Sequence, residues 1–274
     1  KEIPQYKLLN FDMSLEEFKI IFYWEYFHRM LARLIGLFFL IPLIFFYFTR
    51  KINKINLNTC FAIFILILLQ GIVGWYMVKS GLVNDVTVSH YRLSVHLSIA
   101  FIIISSIFWL IKNLTMKENK TFFKITNHNV PFQILIFLIF SQIIIGAFVS
   151  GLDAGKIYQT WPLMGNNYFP DDIILNKFKN TLNFSSHALV QFYHRNLAYI
   201  IIIYVFFLSI FIYKNKLIKL YSSLKLLLLF LSVQIILGIL TLISGLNIYL
   251  ASAHQITSVL LVFSAINLYY LRAK

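Results

Sequence analysis

The chain has 274 residues and a formal net charge of +14, yet only 12% of it is charged while 59% is hydrophobic and 18% aromatic. A soluble globular domain carries about twice that charged fraction, so the composition excludes one. It indicates a polytopic membrane protein in contact with lipid, whose basic excess reflects topology; a nucleic-acid partner is not expected.

In chain order, residues 1–27 are polar, mixed in charge and too weakly apolar for a signal peptide, and the opening at Lys1 reads as a cut edge. Apolar stretches near the roughly 20 residues that span a bilayer then occur at about 30–49, 59–78, 93–112, 131–150, 189–213, 224–244 and 249–271, predicting seven helices. The segments 50–58, 112–130 and 214–225 and the tail 272–274 are rich in lysine and arginine, from Arg50 and Lys51 through Lys112, Lys120, Lys214 and Lys225 to Arg272 and Lys274. Their single acid is Glu118. By the positive-inside rule these face the cytoplasm or its organellar equivalent, leaving the N-terminal stretch, 79–92 and 151–188 outside. Cys60 is the only cysteine, so no disulfide framework, CxxCH attachment or thiolate cluster is expected.

The chain repeats itself. Gln70 through Gly74 leads to Ser80-Gly81-Leu82, and Gln234 through Gly238 leads to Ser244-Gly245-Leu246 at the same spacing, with a shorter copy from Gln142 through Gly146 to Ser150-Gly151-Leu152. The small residues and glutamines read as helix-packing positions. Aligning the halves places His28-Arg29 on His194-Arg195 and His96 on His254. The expected architecture is an all-α membrane protein of two parallel four-helix-bundle repeats, 1–125 and 126–274, with the first helix of the first repeat missing from this chain.

Ionisable groups inside a membrane are costly unless paired, solvated or bound. His28, His96, His194 and His254 all fall near the outer ends of predicted helices, where two facing pairs would suit axial ligation of two haems. His90, His128 and His187 lack repeat partners and read as structural. Arg29, Arg33, Arg92 and Arg195 lie close to the histidines and suit haem propionates, with interfacial snorkelling as the plainer role. Glu25, three residues before His28, shares its helix face, whereas the second half has Gln191 there. A carboxylate in one half only implies one reaction site and one electron-transfer site. A membrane cytochrome b that only carries electrons, and a transporter with aligned substrate or proton histidines, stay open from the residues alone.

The motifs Glu25-Tyr26-Phe27-His28-Arg29 with Arg33, Tyr91-Arg92-Leu93 with His96, Gly151 to Gly155 continuing to Trp161-Pro162-Leu163-Met164-Gly165, Gln191 with His194-Arg195, and His254-Gln255 together resemble the haem A synthase family across the whole chain. The form is the alphaproteobacterial and mitochondrial one, without the outer-loop cysteine pair. The resemblance implies an oxidoreductase acting on a CH group, converting a methyl group of haem O to the formyl group of haem A, for cytochrome oxidase, with oxygen from water. It implies Glu25 as the catalytic residue, and His28, His96, Arg29, Arg33 and Arg92 around the substrate haem O. His194, His254 and Arg195 would hold a haem b cofactor. It further implies a bacterial inner or mitochondrial inner membrane, haem sites towards the outer side, a haem O synthase and a membrane electron acceptor as partners, and room for a homo-oligomer.

Overall fold

A computed structural model describes residues 4–8, 10–81, 87–171, 173 and 182–273. Lys1, the motif residue Leu82 and the tail residue Lys274 lie outside them. In order, the helices are α1 (Pro4–Leu8), α2 (Leu15–Thr49), α3 (Lys54–Gly81), α4 (His90–Met116), α5 (Val130–Gly151), α6 (His187–Lys214), α7 (Tyr221–Ile243) and α8 (Ile248–Arg272), with short 3-10 turns at Ala154–Lys156 and Ile218–Leu220. Among the described residues there is no strand beyond an isolated bridge between Met164 and Asn167. The 7 helices α2 to α8 are long and apolar enough to cross a membrane, as the hydropathy requires. The chain is a multi-pass, all-helical membrane protein.

The one large departure from the sequence reading is at the start. The first span, expected from residue 30, is instead a helix of 35 residues beginning at Leu15. Its signal is a capping box: the Ser14 hydroxyl accepts from the Glu17 amide at 3.2 Å, while the Glu17 carboxylate accepts from the Ser14 amide at 2.8 Å. At about 1.5 Å per residue this helix exceeds the roughly 30 Å of a hydrocarbon core by about four turns. His28 therefore lies inside a helix and not at the mouth of one.

Packing divides the chain into two compact units, Lys1–Leu110 and Ile111–Lys274. In the first, Ile63 of α3 and Ile103 and Leu110 of α4 are buried, with Phe39, Cys60, Leu66, Ile67, Ile99 and Ile107 packed around them. The α2 helix presents Phe18, Phe22, Trp24, Phe38, Phe45 and Phe48 outward, an apolar surface that water would penalise and lipid does not.

In the second unit, Leu135 and Ile139 of α5, Val205 and Ile212 of α6, Leu224 and Leu227 of α7, and Val262 and Ile266 of α8 form the buried centre. Lipid is as apolar as leucine, so helices need close packing and hydrogen bonds to stay together. The Tyr204 hydroxyl donates to the Pro131 carbonyl at 2.7 Å, joining α6 to α5. Asn267 donates to the Ser223 hydroxyl at 3.0 Å, joining α8 to α7, and Gln133 donates to the Tyr269 hydroxyl at 2.9 Å, joining α5 to α8. The basic segment before α5 is fastened to the same end. Lys120 donates to the Tyr270 carbonyl at 3.1 Å and pairs with Glu118 at 2.9 Å. The hydrogen bond from Lys120 holds the Glu118 carboxyl below its ordinary range.

Candidate functional site

Each of α3, α5 and α7 carries Gln-x-x-x-Gly, which puts glutamine and glycine one turn apart on one face. Each faces a histidine on the helix that follows it in the chain. Those histidines stand two turns into their helices: His96 in α4 from His90, His194 in α6 from His187, and His254 in α8 from Ile248.

The three contacts are nearly superimposable in kind. Gln70 Nε2 lies 3.2 Å from His96 Nε2, Gln142 Nε2 lies 3.4 Å from His194 Nε2, and Gln234 Nε2 lies 3.3 Å from His254 Nε2. Beneath each ring is the glycine. A Cβ on Gly74, Gly146 or Gly238 would sit 3.0 Å from the Cε1 of the facing imidazole, inside normal carbon contact. Only glycine leaves room for the Cε1 edge of the ring to come this close to the neighbouring helix. By contrast, a Cβ on Gly36 or Gly71 would meet nothing within 4 Å.

Each of these imidazoles thus has Nε2 against an amide. Its Nδ1 is buried without a partner in His96, His194 and His254 alike. An unpartnered buried nitrogen costs free energy unless something ligates it. Which ring nitrogen takes a metal is set by what the other one touches, so the donor set fits an iron ligated by neutral imidazole. Among the described residues there is no cluster of three or more histidines, cysteines or carboxylates that would hold a bare metal ion.

Around His28 the expected residues are gathered on α2. Glu25 and Arg29, four residues apart, form an ion pair at 2.7 Å with both side chains about half exposed. Arg33 is exposed, its guanidinium 3.9 Å from the Met30 sulfur. Arg92 stands one turn before His96 on α4 and lies over the Tyr76 ring at 5.2 Å. Neither Arg33 nor Arg92 pairs with a carboxylate among the described residues, so both guanidinium groups are available to an anion, whereas Arg29 is engaged by Glu25.

In the second unit Arg195 is hydrogen-bonded to backbone carbonyls. Its two terminal nitrogens donate to the Leu163 carbonyl at 3.1 Å and the Tyr158 carbonyl at 3.0 Å. Gln191, buried at the position corresponding to Glu25, donates to the same Tyr158 carbonyl at 2.9 Å. The Tyr168 hydroxyl donates to Asn196, and Phe192 packs edge-on against Tyr168 and Phe169. Four side chains of α6 therefore bind down the segment 158–169, next to His194. Met164 is buried there at 1% exposure, with its amide bonded to the Asn167 carbonyl at 2.8 Å.

Sequence reasoning treated Gln70, Gln142 and Gln234 as packing residues and so missed their contact with the histidines. The signal was the constant Gln-to-Gly interval recurring in the helices that precede those of His96, His194 and His254.

The chain is similar to known proteins throughout its length. The family model described as cytochrome oxidase assembly protein matches residues 1–266. A haem A synthase of Pelagibacter ubique is 44% identical over 272 residues, covering 96% of this chain and 77% of that protein. That of Wolbachia pipientis wMel is 42% identical over 269 residues, covering 98% and 75%. A third, from Rickettsia felis, is 38% identical over 275 residues and covers 99% and 81%.

Proposed function

The chain belongs to the cytochrome oxidase assembly protein family, and on that footing we propose that it is a haem A synthase, an oxidoreductase that converts a methyl group of haem O to the formyl group of haem A. The observation that carries the reading is the recurrent seat: a half-buried imidazole close against a glycine, touched by a glutamine on one nitrogen and with the other nitrogen buried and unpartnered. Electron-carrying cytochromes share bis-histidine ligation, but they have no need of a carboxylate beside one histidine pair only.

In this reading His194 and His254 hold a haem b cofactor, which when bound supplies one-electron transfer. His28 and His96 bracket the substrate, haem O. The carboxylate of Glu25 is on the same helix face as His28 and takes up protons released as the methyl carbon is oxidised. Arg33 and Arg92 meet the substrate's propionates, and Arg29 positions Glu25 through their ion pair while adding positive charge to the same edge. Arg195 acts by fixing segment 158–165 beside His194, shielding the cofactor side from water. Water supplies the new oxygen, and electrons leave to an acceptor in the membrane.

The basic loops support a cytoplasmic or matrix side for residues 112–130 and an outer side for the haem sites, in the inner membrane of a bacterium or mitochondrion. Two parallel bundle repeats, 1–125 and 126–274, a haem O synthase as supplier and self-association complete the proposal. The test is product analysis: membranes containing the chain, given haem O, should yield haem A, and recovery of haem O unchanged beside an active relative would refute it.

A further inference from the structure

The three glutamine contacts are alike at the ring but differ at the backbone. Gln234 is fixed at both ends of its amide: Nε2 donates to the His254 carbonyl at 2.9 Å, and Oε1 accepts from the Thr257 hydroxyl at 2.7 Å. Gln142 donates to the His194 carbonyl at 3.0 Å, but its Oε1 is buried without a partner. Gln70 touches only the His96 ring; its Oε1 is unpartnered too, and among the described residues it makes no bond to the α4 backbone. The sequence explains the order. The residue three places after the histidine is Thr257 in α8, Leu197 in α6 and Ile99 in α4, so one seat alone has a hydroxyl to complete it.

A contact to the ring restrains side-chain rotation, whereas a bond to the ligand residue's own carbonyl restrains the helix that carries it. Groups of this kind keep a ligand within the few tenths of an ångström that tight binding needs. A cofactor must stay, and a substrate must arrive and leave as product.

We propose that Gln142 and Gln234, with Thr257, are positioning residues that lock the second unit's ligand helices and make it the haem-retaining site, while Gln70 leaves His96 in a looser seat suited to exchange. This rests on the haem assignment above.

The test measures haem release from the full chain in detergent, loaded with haem B and haem O, to excess apomyoglobin, with each released haem identified by pigment extraction. In the wild-type chain haem O should leave faster than haem B. Gln234→Leu should speed haem B release about 10- to 100-fold, the scale of losing such a partner. Thr257→Val, nearly isosteric, should speed it roughly 2- to 10-fold, the size of one neutral hydrogen bond, while the haem-free chain keeps its wild-type helix content. Thr257→Ser, which keeps the hydroxyl, should restore retention. Gln70→Leu should alter haem O release less than Gln234→Leu alters that of haem B, because it has no backbone bond to lose. If Gln234→Leu does not fold, Thr257→Val and Thr257→Ser carry the test. Wild-type release of haem B from folded Thr257→Val, or equal release of both haems from the wild type, overturns the proposal. A wild-type chain that takes up neither haem overturns the underlying assignment instead.

Discussion

Gly238→Ala adds one methyl group at the point where the structure has least room for it. The new carbon would lie 3.0 Å from His254 Cε1, against a favourable separation of about 3.5–4.0 Å, so the ring or the helix must move by roughly half an ångström. His254 cannot yield freely, because Gln234 holds its carbonyl and Thr257 braces Gln234. Two effects then oppose each other. Alanine favours a helix over glycine by roughly 0.5–1 kcal/mol, which supports the haem-free fold. Misplacing a ligand on the scale of half an ångström lowers affinity by about 10- to 100-fold, or ~1.4–2.8 kcal/mol, which exceeds the gain. The variant should fold with normal helix content and bind haem B poorly. Titration of haem B, followed by the low-spin absorption band and paired with thermal melting by circular dichroism, reads both quantities. Gly71→Ala is the control, since a Cβ there meets nothing within 4 Å. Wild-type affinity and spectrum in Gly238→Ala would refute the argument that the glycine makes the seat.

Three further outcomes are expected. His194→Ala and His254→Ala should each abolish the low-spin b-type spectrum, because a bis-imidazole site does not survive loss of one ligand; an unchanged spectrum and haem B content in both would show the assignment to be wrong. Glu25→Gln keeps a hydrogen-bonding partner for Arg29 but removes the charge, so haem O conversion should slow about 10²-fold or more while haem B stays in the second unit; near-normal conversion would remove Glu25 from the mechanism. A reporter fused after Lys274 should read cytoplasmic and one inserted near Asn166 should read outside, and the opposite pattern would place the histidines on the wrong surface.

Hydropathy located the 7 spanning helices found among the described residues, since bilayer thickness sets a length that composition reveals directly. It did not find the start of α2, because Ser14-Leu15-Glu16-Glu17 is polar and a search for apolar runs passes over a polar first turn. The capping pattern was nevertheless present in those residues. Repeat alignment set His28 on His194 and His96 on His254, whereas the glutamine and glycine surroundings recur at His96, His194 and His254. It left their glutamine partners as packing residues, because a glutamine in an apolar helix has many uses and only the facing element decides between them. The contacts of Arg195 were not legible: its partners are the carbonyls of Tyr158 and Leu163, backbone groups that no side-chain pattern announces. Glu25 and Arg29 were read separately, although their interval of four on one helix is that of an ion pair.

The central claim is that one unit keeps a cofactor while the other handles a substrate of the same chemical class. The pigment extracted from the purified chain tests it most directly. The account predicts haem B together with haem O or haem A, with His194→Ala depleting haem B first. Haem B alone, even after expression with abundant haem O, would contradict it and leave an electron carrier in its place.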